Sequence, residues 1–275
     1  MIGGALLLFS CLFFFGRIES QKSNFPHTET TTQSNFNITD SIKKARQQLS
    51  ASQLLYVTNL ENSVTRGDVK LQSHNSYMHL ADFWKDSAGK FLPYAYYLSE
   101  ASKLDNSEKS LTFAARLILD SMRREEDDLV KAWEAETAIV LFEKAIALNP
   151  TNDDLRIGLG SCYVYGKGMS GNASETMKGI QELLKVVAKD SNNMKAQLVL
   201  GIGGVISRQY DKAITRLNKV AAVEPGNLEA VSWLADAYAE SGNKTEAVKW
   251  YEYSKKLVNN PAYSREVDAR IKALQ

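Results

Sequence analysis

At 275 residues and 30.6 kDa the chain is long enough for one or two ordinary domains, or for one elongated repeat array. With 44% hydrophobic and 24% charged residues it has the makings of a folded core rather than a disordered coil. Its charge is balanced, 33 Lys+Arg against 32 Asp+Glu, with no Lys/Arg-rich stripe, which argues against a general nucleic-acid binder. The two cysteines, Cys11 and Cys162, imply no disulfide framework.

The segment from Met1 to Gly16 (MIGGALLLFSCLFFFG) carries no charged side chain and is rich in Leu and Phe. As a helix it spans roughly 24 Å, short of the ~30 Å hydrocarbon core. A cleaved signal peptide would need a basic start and small residues before the cut, and neither is present. Leu8-Phe9-Ser10-Cys11 fits a lipobox badly. An uncleaved single-pass anchor over 1–16 is the expectation, in a bacterial inner membrane. Taken literally, Arg17 and Lys22 place the body in the cytoplasm. The short anchor without preceding lysines suggests instead that the true start lies upstream of Met1 and that the body is periplasmic. Residues 17–38, rich in Ser, Thr, Asn and Gln, read as a flexible tether.

Residues 39–137 read as an N-terminal helical region of divergent units. A helix is expected from Asp40 to Glu61, with Thr39 or Asp40 as its N-cap. Leu80-Ala81 and Trp84 followed by Tyr94 to Leu104 (YAYYLSEASKL) form one helix pair, and Phe113-Ala114 opens another helix. Arg123 to Asp128 (RREEDD) reads as an exposed turn rather than a set of catalytic carboxylates.

From Ala138 the sequence falls into columns. Leu159-Gly160, Leu200-Gly201 and Leu234-Ala235 align. So do Ala138, Gly179, Ala213 and Ala247; Phe142, Leu183, Leu217 and Tyr251; and Pro150, Ser191, Pro225 and Asn259. In the last three columns the final two steps are 34 residues, and the step from Ala138 to Gly179 is 41; the Leu159, Leu200 and Leu234 column steps by 41 and then 34. The seven extra residues are expected in the turn around Tyr165 to Thr176. Small residues let antiparallel helices approach, and Pro150 and Pro225 end helices that they cannot continue. Each unit buries its apolar face only by stacking on a neighbour.

These columns resemble the tetratricopeptide-repeat (TPR) family, whose first helix carries W-x2-L-G-x2-Y and whose second carries A-x3-F before a turn Pro. Leu159-Gly160 with Tyr163 and Ala138-x3-Phe142 match it. The leading Trp is replaced by Arg156, Gln197 and Val231, and Gly204 stands where Tyr is expected. The resemblance implies an all-α fold, a right-handed superhelical solenoid of antiparallel helix pairs. The array covers 138–261, and residues 262–275 form a capping helix.

Nothing in the sequence assembles a catalytic site, a cofactor site or a metal site. His74 and His79 are five apart, not the three or four that share a helical face. Gly201-Ile202-Gly203-Gly204 lacks the spacing of a nucleotide loop. The resemblance instead implies a concave groove lined by the first helix of each unit. Its inward positions are Ile157, Ser161, Val164 and Tyr165, then Leu198, Ile202, Val205 and Ile206, then Glu229, Ser232, Asp236 and Glu240. Such a groove is apolar in the middle and acidic at its C-terminal end, which suits an apolar or amphipathic protein segment with some basic residues. The alternative is that these positions are covered by the chain itself. The expected role is a non-catalytic scaffold or adaptor at a membrane surface. The alternatives are an envelope assembly factor holding an unfolded client, as in cytochrome c maturation or outer-membrane biogenesis, and, remotely, an enzyme with its site in 40–130.

Overall fold

The computed structural model describes residues 36–66, 70–168 and 173–275, all within the unit Phe36–Gln275. The described residues are helices and turns, with no strand among them. The expected helix from Asp40 to Glu61 is in fact two. Helix α1 (Ile38–Arg46) is capped by Asn37, whose side chain accepts from the Thr39 amide at 2.9 Å. Helix α2 (Ala51–Arg66) begins afresh at Ser50. The Ser50 hydroxyl accepts from the Gln53 amide at 3.3 Å and the Gln53 side chain accepts from the Ser50 amide at 3.0 Å. That reciprocal cap satisfies two orphan amides and sets the break.

Helix α3 (Lys70–Asp82) runs into a π-helical turn, Phe83–Ser87, and returns as α4 (Phe91–Asp105). Then come α5 (Glu108–Met122) and α6 (Asp128–Leu148). The third pair is α7 (Asp153–Ser161), prolonged by a second π-helical turn Cys162–Gly168, with α8 (Ala173–Lys189). Helices α9 (Met194–Ile206) and α10 (Tyr210–Val223) form the fourth, and α11 (Leu228–Glu240) and α12 (Lys244–Val258) the fifth. Helix α13 (Pro261–Ala273) packs on α12 through Val267 and leaves its outer side exposed. Each helix packs chiefly on its sequence neighbours, so the described residues form an all-α solenoid.

The 41-residue unit differs from its 34-residue neighbours in more than the turn. Its first helix with the π-helical turn runs from Asp153 to Gly168, three residues longer than α9 or α11. Helix α8 is three residues longer than α10. The extra length therefore goes mostly into both helices. Val164 and Tyr165 lie within the π-helical turn and are buried.

The expectation of a single-pass membrane anchor is corrected. Among the described residues no helix is long and apolar enough to cross a membrane. The longest, the 21-residue α6, carries Asp128, Lys131, Glu134, Glu136, Glu143 and Lys144. Charges at that density are costly in hydrocarbon. Residues 1–16 and most of the expected tether lie outside the described residues.

Candidate functional site

The first helices α5, α7, α9 and α11 stand side by side, and their shared face is where the groove positions fall. The structure separates those positions into two sets. Ile157, Ser161, Val164, Tyr165 and Ile202 are buried. Leu198, Val205, Ile206, Glu229, Ser232 and Asp236 are partly exposed, and Glu240 is exposed. Ile157, Val164, Tyr165 and Ile202 share one apolar cluster with Met122, Ala135 and Leu183. No residue of α1 or α2 is part of it.

What closes the middle of the face is a clasp. The Arg123 guanidinium at the end of α5 pairs with Glu229 at the start of α11 at 2.6 Å, across 106 residues. The Tyr165 hydroxyl donates to the other Glu229 oxygen at 2.8 Å, and Arg123 lies 4.7 Å from the centre of the Tyr165 ring. Three first helices thus meet at one carboxylate. Burial, then the Glu229 charge, pushes the Tyr165 phenol far above its ordinary pKa, so at neutral pH it is a donor. Sequence reasoning placed Arg123 in an exposed turn. The turn is exposed, but its first residue reaches across the face.

The clasp makes a quantitative expectation. Both partners are partly solvated, so the ion pair itself is worth little, and the stacking of guanidinium on phenol adds to it. A double-mutant cycle of Arg123→Ala and Glu229→Ala in urea unfolding should return a coupling of about 0.5–1 kcal/mol. Strict additivity would mean that the contact is not maintained in solution.

Beyond the clasp the face stays open. Val205, Ile206, Arg208, Trp233, Asp236 and Arg270 line a cleft of about 480 Å³, with Tyr210, Ala239, Glu240 and Tyr251. Its acidic character is largely neutralised. Asp236 accepts from the Tyr251 hydroxyl and pairs with Arg270 of α13 at 3.1 Å. Glu229 is held in the clasp. Among the described residues Glu240 is met at 3.5 Å by the Tyr210 hydroxyl alone. Arg208, exposed at a left-handed φ of 59°, stands at the rim. Trp233 and Arg270 were not among the expected groove residues. Trp233 follows Ser232 by one position and reaches the cleft from the edge of the stripe, and Arg270 arrives on the last helix.

Among the described residues no group of three His, Cys, Asp or Glu is placed to hold a metal ion. Residues 205–265 match the tetratricopeptide repeat family model. No curated protein sequence matches the chain. Among solved structures, it is similar to the MamA protein, with 21% identity, 70% of this chain and 94% of that chain covered, and a TM-score of 0.48. It is also similar to YrrB, described as a TPR protein with an unusual peptide-binding site, at 17% identity, 70% and 91% coverage and a TM-score of 0.47. A tetratricopeptide repeat protein from Parabacteroides merdae shares 16% identity over 82% of this chain and 87% of that one, at a TM-score of 0.42.

Proposed function

We propose that this tetratricopeptide-repeat chain is a non-catalytic protein-binding module, and that it seats an apolar or aromatic side chain of a partner segment between α9 and α11. The observation that carries the reading is the cleft that begins where the clasp ends. There Val205, Ile206 and Trp233 remain partly exposed, next to a stretch of the face where Ile157, Val164, Tyr165 and Ile202 are buried. Apolar anchors ringed by paired charges suit an inserted hot-spot residue, with the rim excluding water. Because Glu229 and Asp236 already hold arginines, the partner segment need not be basic. A row of first helices offering such a surface is the common use of repeat solenoids.

Panning a displayed peptide library against the full chain tests this reading. Enriched peptides should share an apolar or aromatic anchor, and an Ile206→Glu variant with unchanged helical circular dichroism should bind them at least tenfold more weakly. A carboxylate placed on the cleft floor cannot be desolvated by an apolar anchor. Enrichment without an apolar anchor, or equal binding by the variant, would overturn the assignment.

A further inference from the structure

The position of the family's leading Trp carries Arg156, Gln197 and Val231 in successive units. The structure gives that exchange a consequence. In two units the side chain here bonds to the same place on the second helix, Glu182 and then Arg216, and Trp250 stands at that place 34 residues further on. In the third pair Arg156 forms an ion pair with Glu182 at 2.7 Å and donates to the Pro150 carbonyl at 3.0 Å. In the fifth, Val231 and Trp250 pack in one apolar cluster. In the fourth, Gln197 donates to the Ser191 carbonyl at 2.8 Å, the counterpart of Pro150, and accepts from Arg216 at 2.6 Å. The amide replaces a charged residue, and among the described residues the guanidinium meets no carboxylate.

The neighbours do not supply one. Lys212 and Lys219 flank Arg216 on the same face of α10, at helical spacings of four and three. Lys219 donates to the Ser191 carbonyl at 2.7 Å and Lys212 to the Gln209 side chain at 2.9 Å, so all three cations bond neutral oxygens. Their counterparts on α8, Lys178 and Lys185, pair with Glu175 and Glu182 at 2.7 and 2.5 Å. The three cations, with Gln197, Thr215 and Asp211, line a cleft of about 440 Å³ in which Asp211 is the one acid. Asp211 is within ion-pair distance of no cation among the described residues. Arg216 is also half-buried, and burial holds its guanidinium below the ordinary arginine pKa. A half-buried guanidinium whose bonds among the described residues leave donors over is a site for an oxyanion.

We propose that this cleft is a second binding site, which takes a carboxylate side chain from an acidic segment of a partner protein. The template is internal: one unit earlier a carboxylate, Glu182, completes the same arrangement. The site lies on the second-helix side of the array and does not depend on the cleft between α9 and α11.

A fluorescein-labelled hexaglutamate peptide and its hexaglutamine control, titrated by anisotropy against the full chain at about 50 mM salt, test the proposal. Hexaglutamate should bind at least tenfold more tightly than hexaglutamine. Gln197→Glu supplies the missing acid from within, as in the Arg156–Glu182 pair, and should weaken hexaglutamate at least tenfold with the fold intact. Lys212→Glu, on an exposed residue, should weaken it as well, whereas Ile206→Glu should leave it unchanged. Equal binding of the two peptides, or wild-type affinity in Gln197→Glu, would overturn the proposal. So would displacement by inorganic phosphate at the peptide's own concentration, which would mark a site for free oxyanions instead.

Discussion

Glu134→Gln is expected to gain stability on the wild type as pH rises, by about 2–3 kcal/mol between pH 5 and pH 8. Glu134 lies on α6 with none of its surface exposed, and neither carboxyl oxygen has a hydrogen-bond partner among the described residues. Burial pushes its pKa up to about 7. The nearby Ser121 side chain pulls the other way without making a well-formed bond, while Glu125 adds to the rise and Lys131 and Arg124 oppose it. A folded-state pKa above the unfolded value means that the native state binds the extra proton. The contribution is fully present below the unfolded carboxylate pKa and is lost as pH rises through about 7. The Gln variant cannot titrate, so its urea-unfolding free energy should lack this component. It leaves a buried amide poorly partnered, which sets a constant offset of about 1–3 kcal/mol but no slope. Parallel pH profiles for the two proteins would show that Glu134 does not stay buried and charged at high pH.

The helix pairs were legible because they rest on local requirements. Small residues at Gly160, Gly201, Ala213 and Ala247, and stop signals at Pro150 and Pro225, recur in columns with steps of 34 or 41 residues and need no knowledge of distant contacts. One such column went unread: Asn152, Asn193 and Asn227 cap α7, α9 and α11, each accepting from an amide two or three residues on. The Ser50-x-x-Gln53 cap that splits α1 from α2 was equally local. The candidate site is different in kind. Helical periodicity says which side of α7 and α9 carries Ile157 and Ile202, but their exposure depends on how tightly the units curve. That curvature is expressed in Arg123, Tyr165 and Glu229, which are far apart in sequence and whose identities suggest no pairing. Glu134 was invisible for the same reason. Within DLVKAWEAETAIV it reads as an ordinary helix-surface acid, and only the packing of α6 against α5 and the turn after α7 buries it.

The joint between units should be the most sensitive place in the array. Phe142, fully buried on α6, seats its ring against Gly158 on α7. A Cβ at residue 158 would lie 2.3 Å from the tip of that ring and 2.4 Å from the adjacent ring carbon, so a single methyl must displace a side chain that has nowhere to go. Gly158→Ala is expected to cost about 1–3 kcal/mol by overpacking, although alanine favours the helix by about 1 kcal/mol. Phe142→Ala leaves a cavity at the joint and should cost about 3–5 kcal/mol. Combined, the two changes oppose each other sterically: the new methyl occupies part of the space that the ring vacates. The double variant should therefore be less destabilised than the sum of the singles by about 1 kcal/mol or more, measured by urea unfolding in one buffer. Additive losses would place the ring away from Gly158. The coupling has its meaning from the repeat: Phe142 is the large residue of the A-x3-F signature, and here its partner is a glycine in the next unit.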